Sequence, residues 1–399
     1  MGAFTGTLNQ NEIFASMYNM IISQEVFADN LKHNYNLVDE ARVDGSLFGD
    51  EKLYISTDAL KTYAWGGDSE ASNLLALNRP SNPSVQAIVL DKFRQLRVTI
   101  DNYLTKRAFM DEGAFASFNG VILGWLVETR KMFENLTYNT FIGTDRTATG
   151  NQTIALSYTL PSGVALGTEE ANRLTAGFIA NAIANIIDDM KDYSRKYNDY
   201  QYMRSYSEGE LKFVWNAEYV NSIKLIDLPT VFHNEELKAH LVDRKLPNKY
   251  FGIVLTSSNI STYSDSTPAA GKPIDSDNGA YTPGVNHANG LVRSLVEKDV
   301  TVGGIDYHVL PGEEIPSGAT VLATSGNFAY GEVFIAQDDV VCKIYAKLPP
   351  FMSAFSVGTS FFNARSLTEN HYLTFGYNTL EHLKNYPAVT ITLTVAEHA

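Results

Sequence analysis

The stretch Met110-Asp-Glu-Gly-Ala-Phe-Ala-Ser-Phe-Asn-Gly-Val-Ile-Leu-Gly-Trp-Leu-Val-Glu-Thr-Arg-Lys-Met-Phe-Glu-Asn-Leu-Thr-Tyr-Asn-Thr-Phe-Ile142 decides the fold. Phe115, Phe118, Val121, Ile122, Trp125 and Leu126 recur at helical spacing, which predicts a long amphipathic helix over about 112–136. No catalytic signature accompanies the stripe, so the helix reads as a girder. It follows a polar, Gly-containing excursion.

Working outward toward the N-terminus, Arg94 to Asn102 alternates as a strand does. Before it, Lys52-Leu-Tyr-Ile-Ser56 and Val85-Gln-Ala-Ile-Val-Leu90 alternate too. Between them, Gly66-Gly67 and the prolines Pro80 and Pro83 punctuate turns. The pattern predicts a two-stranded excursion with its tip near residues 66–84. Asn11 to Phe27 fits a short helix, and the polar segment Asp29 to Asp50 an extended arm.

Toward the C-terminus, Thr153 to Tyr158 reads as a strand. Thr168 then caps a second helix, with Glu169 and Glu170 at the positive end of its dipole. Its stripe, from Leu174 through Ile179, Ile183 and Ile187 to Met190, predicts a helix reaching about Tyr197. Leu211 to Trp215 reads as a buried strand and Ala217 to Ile226 as a short helix. Residues 256–290 are rich in Ser, Thr, Asn, Asp, Gly and Pro, the composition of a long functional or mobile loop. Strands return at 300–310, 319–324 and 332–346, with a terminal strand over Val389–Val395. No repeat of fixed period occurs.

A chain of 399 residues accommodates two or three domains of roughly 100–200 residues, and 44% apolar residues suffice for a sizeable core. Its 22 Tyr suit surfaces that are apolar on one side and wet on the other, subunit interfaces among them. The formal charge of -14 argues against a basic groove tracking a phosphate backbone. One cysteine, Cys342, excludes an internal disulfide and a thiolate zinc cluster. In the apolar run Val340-Val-Cys-Lys-Ile344 it reads as a buried strand residue and not a nucleophile. The N-terminal residues lack the basic and apolar regions of a signal peptide, and no apolar run reaches membrane-spanning length. Synthesis and folding in a cytoplasm are expected.

The chemical motifs fail residue by residue. Ala270-Gly-Lys-Pro273 ends like a phosphate loop, but Pro273 replaces the magnesium-holding hydroxyl and Ser266 the leading glycine. Asp275-Ser-Asp-Asn-Gly279 has the look of a calcium loop, yet Ile274 would have to be its first ligand. His233 and His240 share a helical face with Glu235 and Glu236 between them, which is more simply a solvated face. Asp188 and Asp189 are adjacent on a helix and point apart, a poor carboxylate pair. Asn135, Asn151 and Asn259 begin glycosylation sequons, without meaning in a cytoplasm. No catalytic, cofactor-binding or metal-ligating residue is assigned, and no cofactor is expected.

Three segments carry a resemblance. Phe93-Arg-Gln95 through Tyr103-Leu-Thr-Lys-Arg-Ala-Phe109 and Gly113 to Phe118 is similar to the strand and turn entering a spine helix. Glu210 to Asn216 with Tyr219 to Leu225 resembles a strand followed by a short helix. Tyr372 to Tyr377 through Tyr386-Pro-Ala-Val389 resembles a closing segment with an aromatic-Pro-small step. Together with the element order, these resemble the major capsid proteins of tailed bacteriophages with the Hong Kong 97-type fold, most of all those of small short-tailed phages of the Picovirinae kind.

The resemblance implies an α+β chain with an N-terminal arm (1–50) and an extended β-excursion, or E-loop (51–97). A peripheral domain with the spine helix (98–164) would follow, then an axial domain (165–329) and a return to the peripheral domain (330–399). It implies a structural protein and not an enzyme: a head protein self-assembling through pentamers and hexamers into an icosahedral shell around phage DNA. It also implies a separate scaffolding protein, since no coiled coil precedes the arm, together with a portal protein, weak contact with packaged DNA, no membrane, and residence in the virion. A receptor-binding or tail structural protein is the alternative, and a carboxylate-dependent hydrolase a more distant one.

Overall fold

The computed structural model describes residues 37–45, 51–62, 79, 82–101, 112–145, 153–225, 244–266, 272–283, 291–322 and 326–398. In chain order the elements are α1 (Leu37–Ala41), β1 (Arg42–Asp44), β2 (Glu51–Ser56), β3 (Ser84–Val89), β4 (Lys92–Asp101) and α2 (Glu112–Gly143). Then come β5 (Thr144–Asp145), β6 (Thr153–Thr159), α3 (Glu169–Lys191), β7 (Lys212–Asn216), α4 (Ala217–Leu225), β8 (Lys245–Leu246) and β9 (Gly252–Val254). The remainder is α5 (Ile260–Tyr263), β10 (Ser264–Asp265), β11 (Ile274–Asp275), β12 (Val292–Ser294), β13 (Lys298–Val302), β14 (Ile305–Val309), β15 (Val333–Ala336), β16 (Val340–Tyr345), β17 (Phe351–Asn363), β18 (Thr368–Thr379) and β19 (Ala388–Ala396). This is an α+β chain in which a few helices serve several small sheets.

The chain divides into two compact units. The described part of the first comprises residues 92–134 and 354–376. There β4 lies beside β18, which pairs with β17. Thr99 donates to Asn370 Oδ1 at 2.6 Å and Gln95 to Thr374 Oγ1 at 3.2 Å. Phe133 of α2 meets Phe375 edge-on, with ring centroids 5.6 Å apart, and the Arg94 guanidinium lies over the Phe133 ring. The β17–β18 hairpin, among the longest strands in the chain, was not anticipated from sequence. Its loop closes at Leu367, which adopts a left-handed φ of 55°.

The second unit is built around a five-stranded sheet of order β6-β19-β16-β7-β8. β19 is the hinge of its topology, parallel to β6 from Thr390↔Thr153 to Ala396↔Thr159 and antiparallel to β16. Helix α3 covers this sheet. Ile179, Ile183, Ile187 and Met190 recur every three or four residues and pack with Phe213, Trp215, Ile344, Val389 and Ile391. A second sheet, β12-β15-β9-β5, shares a separate core with the β13–β14 hairpin: Tyr281, Val292, Val300, Ile315, Phe328 and Ile335 are all buried. The hairpin turns at Gly303-Gly304 with φ of 60° and 81°, the doubly left-handed geometry that two glycines permit.

Several expectations need correction. The long helix continues seven residues past 136, to Gly143. Phe133, Tyr138, Phe141 and Ile142 are buried, and this packing overrides the weak helix formers of Asn135–Thr140. Its last residue must be glycine, because a Cβ at Gly143 would sit 2.2 Å from the Tyr250 carbonyl oxygen. Of the expected stripe, Leu126 is buried and Trp125 half-buried, but Val121 is exposed. The side chains of Phe115, Phe118 and Ile122 lie outside the described residues. Helix α3 ends at Lys191, not near Tyr197, because Asp192 turns extended and Tyr197 folds back to donate to Asp189.

The polar arm is not wholly extended. Residues 37–41 are helical, and β1 pairs parallel with the start of β17 through Arg42↔Phe351 and Asp44↔Ser353. Glu40 anchors it through Lys212 at 2.6 Å and Arg244 at 2.7 Å. The expected helix over 11–27 lies outside the described residues. The polar region 256–290 is partly built in: Ile274 and Tyr281 are buried, and α5, β10 and β11 punctuate it. Residues 319–322 make isolated bridges, Ala280↔Thr320 and Val321↔Phe328, in place of a strand. The 332–346 strand divides into β15 and β16.

Candidate assembly surfaces

Strands β2 and β3 pair antiparallel over their full length, with Leu53 opposite Ala87 and Ile55 opposite Val85. Alternation then sorts the side chains between two faces. One face carries Tyr54, Ser56, Ser84, Gln86 and Ile88 and is tied to the second unit. Ser84 Oγ and Tyr202 Oη lie 2.6 Å apart, Gln86 donates to the His382 carbonyl at 2.8 Å, and the Lys384 N–H donates back to Gln86 at 3.1 Å. Lys347 lies over the Tyr54 ring. Asn378 donates to the Val89 carbonyl at 2.5 Å.

The exit of β2 is fastened by Asp58. Its carboxylate accepts from the Met203 N–H at 2.9 Å and from Arg195 at 2.7 Å. The Met203 amide, and after it the Arg195 guanidinium, hold the Asp58 carboxyl down at about 2. Arg204 adds a hydrogen bond to the Thr57 carbonyl at 2.6 Å.

The opposite face is apolar and open. Leu53 is 57% exposed, Ile55 66% and Val85 53%, and Val89 and Ala87 join them. The sequence alternation located both strands but invited the usual assignment, apolar side inward. Here Tyr54, Ser84 and Gln86 face inward beside buried Ile88, while Leu53, Ile55, Val85, Ala87 and Val89 face outward with Glu51. The one signal for this is that the polar partners, Tyr54, Ser84 and Gln86, are residues able to tether. A second exposed apolar group, Phe361, Phe362 and Leu367, occupies the loop end of the β17–β18 hairpin in the first unit. Such patches mark contact surfaces.

The residues weighed for chemistry are not brought together. Asp188 pairs with Lys191 at 3.5 Å, whereas Asp189 serves Lys196 at 3.1 Å and Tyr197. Asp275 to Gly279 is a closed turn: Asp275 Oδ1 accepts the Asp277 N–H, and its carbonyl accepts the Gly279 N–H, both at 2.8 Å. Its carboxylate is spent on the backbone. Lys272 reaches the Ser261 carbonyl at 3.5 Å, and the residues just before it, like His233, His240 and Asn151, lie outside the described residues. Asn135 is buried in α2, and Asn259 is occupied by Thr256 and Val254. Cys342 is fully buried in β16, and burial pushes its thiol far up, away from nucleophilic character. Among the described residues no group of three His, Cys, Asp or Glu could hold a metal, and no helix is long and apolar enough to cross a membrane.

No protein-family model and no curated protein matches the chain. Solved structures do. A chain in the structure of the head fiber and inner core protein gp22 of native bacteriophage P68 is similar at 10% identity, with a TM-score of 0.53, over 89% of this chain and 83% of that one. A chain in the capsid structure of Staphylococcus phage Andhra is similar at 12% identity, with a TM-score of 0.51, over 91% of this chain and 86% of that one. At such identities the likeness speaks for backbone architecture, and it runs through nearly the whole chain. With its α+β composition, its long helix α2 and its small sheets, the chain has the Hong Kong 97-type fold of tailed-phage capsid proteins.

Proposed function

We propose that this chain is a major capsid protein that assembles with copies of itself into an icosahedral shell enclosing phage DNA. The observation that carries the reading is the β2–β3 ribbon: tethered on one face by hydrogen bonds, and aliphatic and solvent-facing on the other. A monomer gains nothing from holding Leu53, Ile55 and Val85 in water on a braced ribbon. A subunit that laps a neighbour does. Heterologous contacts of this kind close into rings, here pentamers and hexamers.

On this reading, residues 51–97 form the lapping excursion and 98–164 and 330–399 the peripheral domain. Residues 165–329 form the axial domain, and 1–50 an arm reaching another copy. The role is structural and not catalytic. The protein is made in the host cytoplasm and resides in the virion. A separate scaffolding protein and a portal protein complete assembly, and packaged DNA is touched only weakly, since the net charge of -14 repels it.

The test is electron microscopy of the purified full chain, alone and with a scaffolding partner, beside the variant Leu53→Thr/Ile55→Thr/Val85→Thr. Threonine keeps the β-branched preference for strand while removing the apolar face. Closed shells from the unsubstituted chain, and folded subunits without shells from the variant, are expected. Unaltered shells from the variant would remove the ribbon from the assembly contact. Trimers that bind cells, or a monomer whose hydrolytic activity is lost on a single Asp or Glu substitution, would overturn the capsid reading.

A further inference from the structure

The turn between Asp275 and Gly279 carries a reactivity of its own. Asn278 is exposed there, and its Oδ1 accepts the Ala280 N–H at 2.8 Å. A side-chain oxygen that reaches the amide two residues on folds the side chain over the peptide between them, here that of Gly279. Asn278 Cγ is thereby brought alongside the Gly279 nitrogen, the atom with which it can close a five-membered ring. The same hydrogen bond supports the oxyanion that develops on Oδ1 when this carbonyl is attacked. Gly279 brings no Cβ to shield its nitrogen.

One contact holds the reaction back. The Gly279 N–H donates to the Asp275 carbonyl at 2.8 Å, so ring closure waits on the opening of that bond. It belongs to a surface turn, and such turns open locally at far less cost than the core. The contrast within the chain is Asn119-Gly120, the same dipeptide inside α2. There the helical backbone commits the amide to the ladder along the axis, and freeing it breaks the helix interior. A third pair, Asn289-Gly290, lies outside the described residues.

We infer that Asn278-Gly279 is a site at which the chain modifies itself. The Gly279 nitrogen bonds to Asn278 Cγ, the bond from Cγ to the side-chain nitrogen breaks, and ammonia leaves with the amide proton. One water molecule then opens the cyclic imide, giving aspartate or isoaspartate at 278. The net change is one water consumed for each ammonia released, with no oxidation or reduction. The isoaspartate product lengthens the backbone by one methylene beside buried Gly279, where even a Cβ would sit 2.7 Å from the Val321 carbonyl oxygen. The bond from the Val321 N–H to the Gly279 carbonyl, 2.9 Å in the unmodified chain, is the contact that this product strains.

The full-length chain, aged at mildly alkaline pH in native buffer and in parallel in urea, then digested, tests this by mass spectrometry of the peptides. In native buffer Asn278 should gain the mass of amide-to-acid conversion several-fold faster than Asn119, and in urea the two rates should converge. Ammonia release should fall in Asn278→Gln, which removes the five-membered ring closure and leaves the backbone of the turn in place. Asn119 keeping pace with Asn278 in native buffer would overturn the inference. So would an Asn278 that converts in urea and stays intact in the folded chain.

Discussion

Asp58 shows how one side chain sets the state of a surface it does not belong to. It stands just past β2 and gathers the Met203 amide and the Arg195 guanidinium, so the end of β2 is held at a fixed point within the second unit. Its carboxyl is held at about 2 against an ordinary value of 3.8. A depressed folded-state pKa means the tether contributes fully above the unfolded value and is lost as pH falls through the folded one. Hydrogen exchange of the β2 amides should therefore show protection that is steady above about pH 4 and declines toward pH 2. In Asp58→Asn that protection should start lower and lack the acid transition. An unchanged acid transition in the variant would remove Asp58 as its source.

At the scale of elements, legibility followed whichever pattern had a single physical cause. Helix α3 was readable because cap and stripe agree: Thr168 Oγ1 accepts the Ala171 N–H at 3.2 Å, and Ile179, Ile183, Ile187 and Met190 all face the sheet. Ile183→Ala should cost about 2–5 kcal/mol, because the side chain is fully buried and leaves a cavity, whereas exposed Asn185→Ala should stay within about 0.5 kcal/mol. Chemical denaturation of the free subunit measures both, and equal effects would mean α3 is not packed as described. The last turns of α2 were not readable, since Asn135 to Thr140 form a helix only because Tyr138 donates to the Pro349 carbonyl at 2.7 Å and packs on Phe351. The β17–β18 hairpin was missed for want of an obvious Gly turn. The ribbon's strands were legible but its orientation was not: alternation fixes two faces without saying which one meets protein, and that is the fact on which the candidate surface depends.

For the whole molecule, two opposing terms decide whether copies associate. A net charge of -14 makes identical subunits repel, over a Debye length of roughly 30 Å at 10 mM salt and about 8 Å at 150 mM. Against this stands the ribbon, where fully burying a Leu, Ile or Val side chain contributes roughly 1.5–3 kcal/mol whatever the salt. Exposed ion pairs are worth about 0–1 kcal/mol and weaken with salt. The apolar term therefore wins once the repulsion is screened. The lowest protein concentration giving shells, followed by light scattering and checked by electron microscopy, should fall several-fold as sodium chloride rises from 10 to 150 mM. The same repulsion faces duplex DNA, so association of subunits with DNA should stay weak over that range and lack the steep salt dependence of a basic groove. A critical concentration that rises with salt would reverse the ranking: ion pairs between copies would then drive association, and the aliphatic face of β2 and β3 would only follow.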